Sequence, residues 1–251
     1  MDYASSALVS SPNSSAIHDL GLKEKKKLEN ARKKVAEILK TGSSEIVFTS
    51  GATESNNLAI LGISKGHIVT TNIEHASVLE TAKHKGEVSF VAVESNGIVD
   101  PKKIKKALNK NTVLVSVMYA NNEIGTIQPI KEIAKEIRHY NKINNTKILF
   151  HTDATQAINY LPISIPQLGV DMMSFNSAKI YGPKGVGVLY VKKNTPIKKI
   201  MFGGDQEMGL RSGTENVAGV IALANALENT ENIKDKVVRR LTVLRDYFIK
   251  K

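Results

Sequence analysis

Short apolar runs that favour β-strands alternate with segments of helical periodicity along most of the chain. The strand-like runs cover residues 45–49, 67–71, 88–93, 113–118, 147–151 and 172–175, and another follows the Gly182-Pro183 turn. The predicted helices cover 22–40, a segment ending at about 63, 75–83, 101–108, 129–140, 214–227 and 233–249. Strands that alternate with helices form a mostly parallel sheet with helices on both faces. The predicted fold class is therefore α/β, with Gly42 expected as the C-cap of the first helix.

Composition narrows the function classes. The chain has 251 residues, 41% of them hydrophobic, and no window approaches the length of a transmembrane helix. It has no cysteine, which excludes disulfides and thiolate metal ligands, and we expect no metal site. Much of the formal charge of +11 lies in lysine runs at helical spacing or in turns, which is typical of a solvated surface. Only 5% of residues are aromatic, whereas nucleic-acid binding favours basic residues interleaved with aromatic ones, so we do not expect a nucleic-acid partner. Without a secretory signal pattern, a cytoplasmic protein with no membrane or nucleic-acid partner is expected.

The stretch 173–190 reads as a strand, a polar turn that contains Lys179, a glycine-proline turn and a second strand. A lysine held between buried strands and away from water stays neutral more easily, which Schiff-base chemistry requires. The alternative for a single lysine is a solvated loop residue. Its neighbours along the chain decide between the two interpretations.

Polar residues follow several strands at the carboxyl ends, where ligand sites in such sheets lie. Small residues at 50–53 open a helix and could bind an anion through backbone N–H groups, or merely cap the helix. His75 could be a ligand or a helix-start residue, and Asp153 could be a site carboxylate or an N-cap. The amides at 121–122 could bind a ring or form a turn.

Together these pieces match the needs of pyridoxal phosphate: a lysine, a carboxylate for the pyridine nitrogen, an anion cup and a flat group over the ring. Lys179, Asp153, residues 51–53 and His75 supply them in that order. An ionised Asp153 would keep the ring nitrogen protonated, which makes the ring an electron sink. Gln156, one helical turn beyond Asp153, could reach the ring hydroxyl.

The chain resembles the cysteine desulfurases of the class V aminotransferase group, with matching segments in family order over nearly its whole length. These segments are Asp2-Tyr3-Ala4, residues 13–18, residues 50–56, Glu74-His75, residues 121–125, residues 151–156, residues 179–185 and residues 211–216. The resemblance implies the large domain of fold-type I pyridoxal-phosphate enzymes and L-cysteine as substrate. It also implies a homodimer, in which the 211–216 segment crosses to the partner, and a sulfur-acceptor or scaffold protein as a further partner.

The resemblance also implies roles for individual residues. Lys179 would be the Schiff-base lysine, Asp153 the partner of the pyridine nitrogen and His75 the residue stacked on the ring. The remaining assignments are the ring hydroxyl to Gln156, the substrate carboxylate to Asn122, the cofactor phosphate to Thr53 and Ser177, and the partner's phosphate to Thr214. Ala52, in the anion cup, and Asn176 are further candidate cofactor-binding residues.

Two departures from the family pattern concern a phosphate and active-site contact and the sulfur chemistry. Ala178 stands where the family usually has a histidine, a loss for which Asn176 and Ser177 would compensate. The family's nucleophilic cysteine lies in a C-terminal portion that this chain lacks. We therefore expect an N-terminal arm (1–20), a pyridoxal-phosphate-binding large domain (21–230) and a C-terminal helix (231–251) leading to an absent small domain.

The sequence thus predicts a desulfurase-like protein that releases alanine from L-cysteine, for iron-sulfur cluster or thio-cofactor assembly, with the nucleophilic thiol supplied outside this chain. The alternatives are a cysteine or selenocysteine lyase, another class V pyridoxal-phosphate enzyme, or a non-catalytic scaffold of the same fold.

Overall fold

The computed structural model describes residues 12–251, so the Asp2-Tyr3-Ala4 segment lies outside the described residues. The strands are β1 (Ile46–Thr49), β2 (His67–Thr71), β3 (Val88–Val91), β4 (Thr112–Ser116), β5 (Leu149–Asp153), β6 (Met172–Asn176) and β7 (Gly187–Val191). The α-helices are α1 (Asp19–Leu39), α2 (Ala52–Leu61), α3 (Ala76–Lys85), α4 (Pro101–Ala107), α5 (Ile130–Asn144), α6 (Ile165–Leu168) and α7 (Val217–Ile249). Short 3-10 turns cover Ser43–Glu45, Ser177–Ile180 and Glu207–Gly209.

The strands form one sheet in the order β1-β7-β6-β5-β4-β2-β3. Strands β2 to β6 pair in parallel, whereas β7 is antiparallel to both of its neighbours, β1 and β6. The predicted α/β class with a mostly parallel sheet is confirmed. Because the parallel strands share one direction, their carboxyl ends meet at one edge of the sheet.

Side chains that alternate along the strands divide the core between the two faces of the sheet. On one face, helices α2 and α3 pack through Leu58 and Val78 against strand residues that include Val47, Ile68 and Leu114. On the other face, helices α1, α5 and α7 pack against Phe48, Val69, Val115 and Phe150, among others. The prediction that helices cover both faces is therefore confirmed.

The C-cap of helix α1 is Lys40, two residues before the predicted cap. Lys40 adopts the left-handed conformation with φ 59°, and the Thr41 N–H donates to the Ala36 carbonyl at 2.9 Å. The prediction of Gly42 as the C-cap is wrong, because the last helical turn is already closed. Gly42 instead precedes a 3-10 turn, and its N–H donates to Glu45 Oε2 at 2.9 Å.

The C-terminal region is one helix of 33 residues, α7, and the prediction of separate helices at 214–227 and 233–249 is wrong. The residues between those ranges contain no glycine or proline, so nothing in the backbone interrupts the helix. The buried residues of α7 end at Lys234, whose Nζ donates to the Leu161 carbonyl at 3.0 Å. Beyond that point the helix exposes apolar side chains that include Phe248 and Ile249.

The predicted arm is partly helical, since α1 already begins at Asp19 with His18 as its N-cap. The division of the chain at residues 20 and 230 stays a prediction. Within residues 12–251, none of the helices combines the length and apolar character needed to cross a membrane.

Candidate active site

A cavity of about 200 Å³ lies at the carboxyl ends of the parallel strands, between α2 and the turn after β6. Of the ten predicted site residues, eight line it: Ala52, Thr53, His75, Asn122, Asp153, Gln156, Asn176 and Lys179. The other lining residues are Ser77, Met118, Ala120 and Thr155. The two remaining predicted residues, Ser177 and Thr214, are not in the cavity lining.

The predicted phosphate turn joins β1 to α2 at one end of the cavity. Residue Gly187, which opens β7, packs so closely that a Cβ on it would lie 2.6 Å from the Gly51 Cα. This close approach fixes the turn against the sheet and requires glycine at 187. The first backbone N–H groups of a helix have no intrahelical partner, and here they belong to Ala52 and Thr53, which line the cavity.

Asp153 ends β5 at the floor of the cavity and is 6% exposed. Its Oδ2 accepts a hydrogen bond from Asn56 Nδ2 at 2.8 Å, and its Oδ1 accepts one from the Thr155 N–H at 2.9 Å. The residues that follow Asp153 form a turn and not an α-helix. Asp153 is therefore not a helix N-cap, and its bond to the Thr155 N–H caps this turn. The bonds on both oxygens fix the orientation of the carboxylate.

His151 lies two residues before Asp153, so its side chain points to the same face of the sheet. Its Nδ1 lies 2.8 Å from Ser116 Oγ, and its Nε2 lies 2.9 Å from Ser174 Oγ. Burial lowers the pKa of His151 to about 4, although the Asp153 charge acts in the opposite direction. The imidazole is therefore neutral at pH 7 and supports the strand below Asp153.

His75 is both the N-cap of α3 and a lining residue of the cavity. Its Nδ1 accepts the Ser77 N–H at 3.1 Å and lies 2.8 Å from Ser77 Oγ. Ser77 Oγ is in turn 2.9 Å from Asn56 Nδ2, which donates to Asp153. Because Nδ1 accepts hydrogen bonds, a neutral imidazole carries its proton on Nε2. A hydrogen-bonded chain thus joins Asp153 and His75.

Lys179 lies in the 3-10 turn after β6. Its N–H donates to Asn176 Oδ1 at 3.0 Å, and its carbonyl accepts from Asn159 Nδ2. Its side chain is exposed, so the expectation that water is excluded from the amine is wrong for the described residues. The turn lies at the rim of the sheet, where strand packing does not reach.

Glu74 was missed by the sequence reasoning, which took only the histidine of the Glu74-His75 pair. Its Oε1 accepts from Thr71 Oγ1 at 2.6 Å and from the Met118 N–H at 2.9 Å, joining the ends of β2 and β4. Burial raises the pKa of Glu74 to about 8, with a smaller contribution from the Asp153 charge. The carboxyl is therefore mostly protonated at pH 7 and bears no charge beside Asp153.

Asn56, Ser77 and Thr155 were also missed. Asn56 lies one helical turn after Ala52 and within the 50–56 segment, and Thr155 lies within the 151–156 segment. Helical spacing from Ala52 could have indicated Asn56, but no sequence signal pairs it with Asp153, 97 residues away.

The residues of the cavity fit pyridoxal phosphate. An amine, a buried carboxylate and an imidazole line one space with the N-terminus of α2. Within the cavity lining, Thr155 Oγ1 is buried and has no hydrogen-bond partner among the described residues. Buried hydroxyls of this kind are rare in proteins and are expected where a polar ligand binds.

The model of the Aminotransferase class-V family matches residues 3–250 of this chain. The chain belongs to this family. It is 47% identical over 248 residues to the cysteine desulfurase IscS of Dictyoglomus turgidum, covering 95% of this chain and 61% of that protein. It is 43% identical over 247 residues to the cysteine desulfurase IscS 1 of Archaeoglobus fulgidus, covering 94% of this chain and 63% of that protein.

Among solved structures, the fold matches a NifS-like protein with a TM-score of 0.90 and 40% sequence identity, over 95% of this chain and 67% of that one. It also matches a structure titled SspA in complex with cysteine, with a TM-score of 0.81, 36% identity, and coverage of 90% and 66%. These matches confirm the predicted family and the fold-type I architecture. Class V aminotransferase-family relatives of this kind are pyridoxal-phosphate enzymes. The chain spans 61–63% of the length of the two curated relatives.

Proposed function

We propose that this chain is the pyridoxal-phosphate-binding part of a cysteine desulfurase that removes sulfur from L-cysteine and leaves alanine. One observation carries the proposal: Lys179, Asp153, His75 and the first turn of α2 line the same cavity. The similarity to cysteine desulfurases over 95% of the chain supports the substrate. The sulfur would serve iron-sulfur cluster or thio-cofactor assembly through an acceptor or scaffold protein.

When bound, pyridoxal phosphate supplies an electron sink for bond cleavage beside the substrate amino group. Lys179 would hold the cofactor through its Nζ and carry protons to and from the substrate. Asp153 would hold a proton on the ring nitrogen, with Asn56 and Thr155 fixing its orientation. His75 would cover the ring, and Gln156 would bind the ring hydroxyl.

The remaining assignments concern the two anionic groups. Ala52, Thr53, Asn176 and Ser177 would bind the phosphate, and Asn122 would bind the substrate carboxylate. Thr214 is exposed and outside the cavity lining, and we assign it to the phosphate of a partner subunit in a homodimer. A cytoplasmic location remains a prediction.

Sulfur removal by the desulfurase route needs a thiolate to attack the substrate sulfur, and none of the 251 residues is a cysteine. We therefore infer that the thiol comes from outside these residues. Residues 231–251, which include the end of α7, would lead toward the region of the relatives that this chain does not match. The large domain would then comprise residues 21–230.

The absence of cysteine also favours a second candidate, a lyase that releases sulfur without a protein persulfide. Alanine formation from L-cysteine, measured with and without dithiothreitol, separates the two. Rapid alanine formation without added dithiothreitol would contradict the desulfurase proposal and support the lyase.

Replacement of Lys179 by alanine tests the cofactor assignment. We expect the wild-type chain with pyridoxal phosphate to be yellow, and borohydride to fix the cofactor covalently to Lys179, as read by peptide mass spectrometry. Lys179→Ala should lose the fixed cofactor entirely. Lys184→Ala, an exposed lysine five residues later, is the matched control and should behave as wild type. Covalent cofactor in the Lys179→Ala protein would contradict the proposal.

A further inference from the structure

Glu54 and Arg211 form an ion pair between the first turn of α2 and the 203–216 segment. Resting on the proposed function, we propose that this pair is a positioning device for the cofactor phosphate. It holds the turn that begins α2 in its phosphate-binding geometry and compensates the acidic charge in that turn. Neither residue lines the cavity, so the pair acts through the turn and not by contact with the cofactor.

The contacts of Glu54 join three parts of the chain. Arg211 Nε lies 2.9 Å from Glu54 Oε1, and Glu54 Oε2 accepts the Ser50 N–H at 2.7 Å. The side chain of Glu54 is 14% exposed and that of Arg211 is 23% exposed, so the pair is largely shielded from water. The carboxylate of Glu54 therefore connects the residue after β1 with the first turn of α2 and with Arg211.

The segment that carries Arg211 is itself anchored. Glu207 is 5% exposed and forms two bonds with Arg32, at 2.6 and 2.8 Å. It also accepts the Phe48 N–H of β1 at 2.8 Å. Because Glu207 is fixed to β1 four residues before Arg211, the arginine reaches Glu54 from a rigid support.

The charge of Glu54 explains why an arginine is needed here. Anionic side chains in the first turn of a helix are stabilised by the helix dipole, as is a bound phosphate. An uncompensated carboxylate in that turn would repel a phosphate bound at the same helix end. Although burial alone would raise it, the pKa of Glu54 is held below its usual value by hydrogen bonds from Ser50 and Arg211. The carboxylate is thus charged, and Arg211 compensates it.

Phosphate-dependent binding gives a direct test. Binding of pyridoxal phosphate and of pyridoxal, which lacks the phosphate, is measured by absorbance titration for wild type, Glu54→Gln, Arg211→Gln and the double variant. We expect Arg211→Gln to weaken pyridoxal phosphate about 10-fold, since a charged, shielded hydrogen bond is lost. Glu54→Gln should have a smaller effect, and the double variant should bind more tightly than Arg211→Gln. Pyridoxal binding should stay unchanged throughout.

A second readout needs no cofactor. Hydrogen exchange of the unliganded protein should become faster in peptides that cover 50–54 and 203–216 in Arg211→Gln, with the rest of the sheet unchanged. Glu80→Gln is the matched control, because it removes the exposed Glu80–Lys83 pair on α3. It should change neither exchange in these peptides nor cofactor binding.

The outcomes separate the two proposals. A wild-type chain that binds no pyridoxal phosphate would contradict the proposed function and this inference with it. A wild-type chain that binds it, with variants that bind equally well, would overturn this inference alone. Equal losses for pyridoxal phosphate and pyridoxal would also overturn it, because they would indicate a general structural role.

Discussion

Buried polar side chains at the two ends of the parallel strands differ in whether their atoms have hydrogen-bond partners. At the amino ends, His67 is 2% exposed, and its two ring nitrogens lie 2.8 Å from Thr112 Oγ1 and Ser89 Oγ. At the carboxyl ends, Glu74 Oε2 and Thr155 Oγ1 are buried without a hydrogen-bond partner among the described residues.

A satisfied polar network stabilises the fold, whereas an unsatisfied buried group costs free energy of folding. This difference supports the proposal that polar groups at the carboxyl ends serve binding, whereas those at the amino ends serve stability. Matched substitutions at the two ends of the sheet test this division of roles.

The largest expected effect is the loss of cofactor affinity when Asp153 is replaced by alanine. The matched control is Asp171, which precedes β6 at the other end of the sheet. Asp171 Oδ2 accepts the Phe150 N–H at 3.0 Å. Asp153→Ala should weaken pyridoxal phosphate by about 100-fold, because a charged hydrogen bond to the ring nitrogen contributes about 1.5–3 kcal/mol. Asp171→Ala should lower stability and leave cofactor affinity unchanged. Absorbance titration and urea unfolding measure the two quantities, and equal cofactor affinities would contradict the division of roles.

The next effect is a pH dependence of stability from Glu74. The raised pKa of Glu74, about 8 against 4.5 for the ordinary group, means that the folded state holds a proton that the unfolded state releases. Stability from this group is complete below pH 4.5 and is lost as the pH rises through 8. The lowered pKa of His151, about 4 against 6.5, acts in the opposite sense and removes stability as the pH falls from 6.5 to 4.

These two contributions oppose each other between pH 4.5 and 6.5, and only the Glu74 contribution changes between 6.5 and 8. There we expect the free energy of unfolding to fall by at most about 1.4 kcal/mol per pH unit. Glu74→Gln, which mimics the neutral acid, should abolish this fall in urea unfolding series. His67→Gln at the opposite end should leave it in place. A fall that persists in Glu74→Gln would show that another group titrates.

The smallest expected effects are changes in stability when Thr112 or Thr155 is replaced by valine. The two threonines differ in the hydrogen-bond partners of their hydroxyls. Thr112 Oγ1 bonds with His67 Nδ1 and accepts the Asn109 N–H, both at 2.8 Å. Thr112→Val should therefore lower the free energy of unfolding by about 1–3 kcal/mol, since buried groups lose their partner. Thr155→Val should instead raise the free energy of unfolding by about 1 kcal/mol, because it removes a buried hydroxyl that has no described hydrogen-bond partner. A loss in Thr155→Val as large as that in Thr112→Val, measured in urea, would remove the distinction between the two ends.

The sequence alone was sufficient for the number and order of the strands and for most of the cavity lining, although the strand predicted at 147–151 lies two residues later, at Leu149–Asp153. Apolar, β-rich runs bounded by turn residues have local causes, so β2 was predicted with its observed bounds. The carboxyl ends of parallel strands must meet, and for this reason residues as distant in sequence as His75, Asp153 and Lys179 could be assigned to one site. The resemblance in motif order identified the family, which the comparisons confirmed.

Only the tertiary structure decided which polar groups are buried and with whom they pair. The exposed side chain of Lys179, the buried acid of Glu74 and the Glu54–Arg211 pair each depend on segments far away along the chain. Periodicity and propensity report on neighbours within a few residues, whereas burial and charge pairing are set when separate elements pack, because only packing removes a side chain from water.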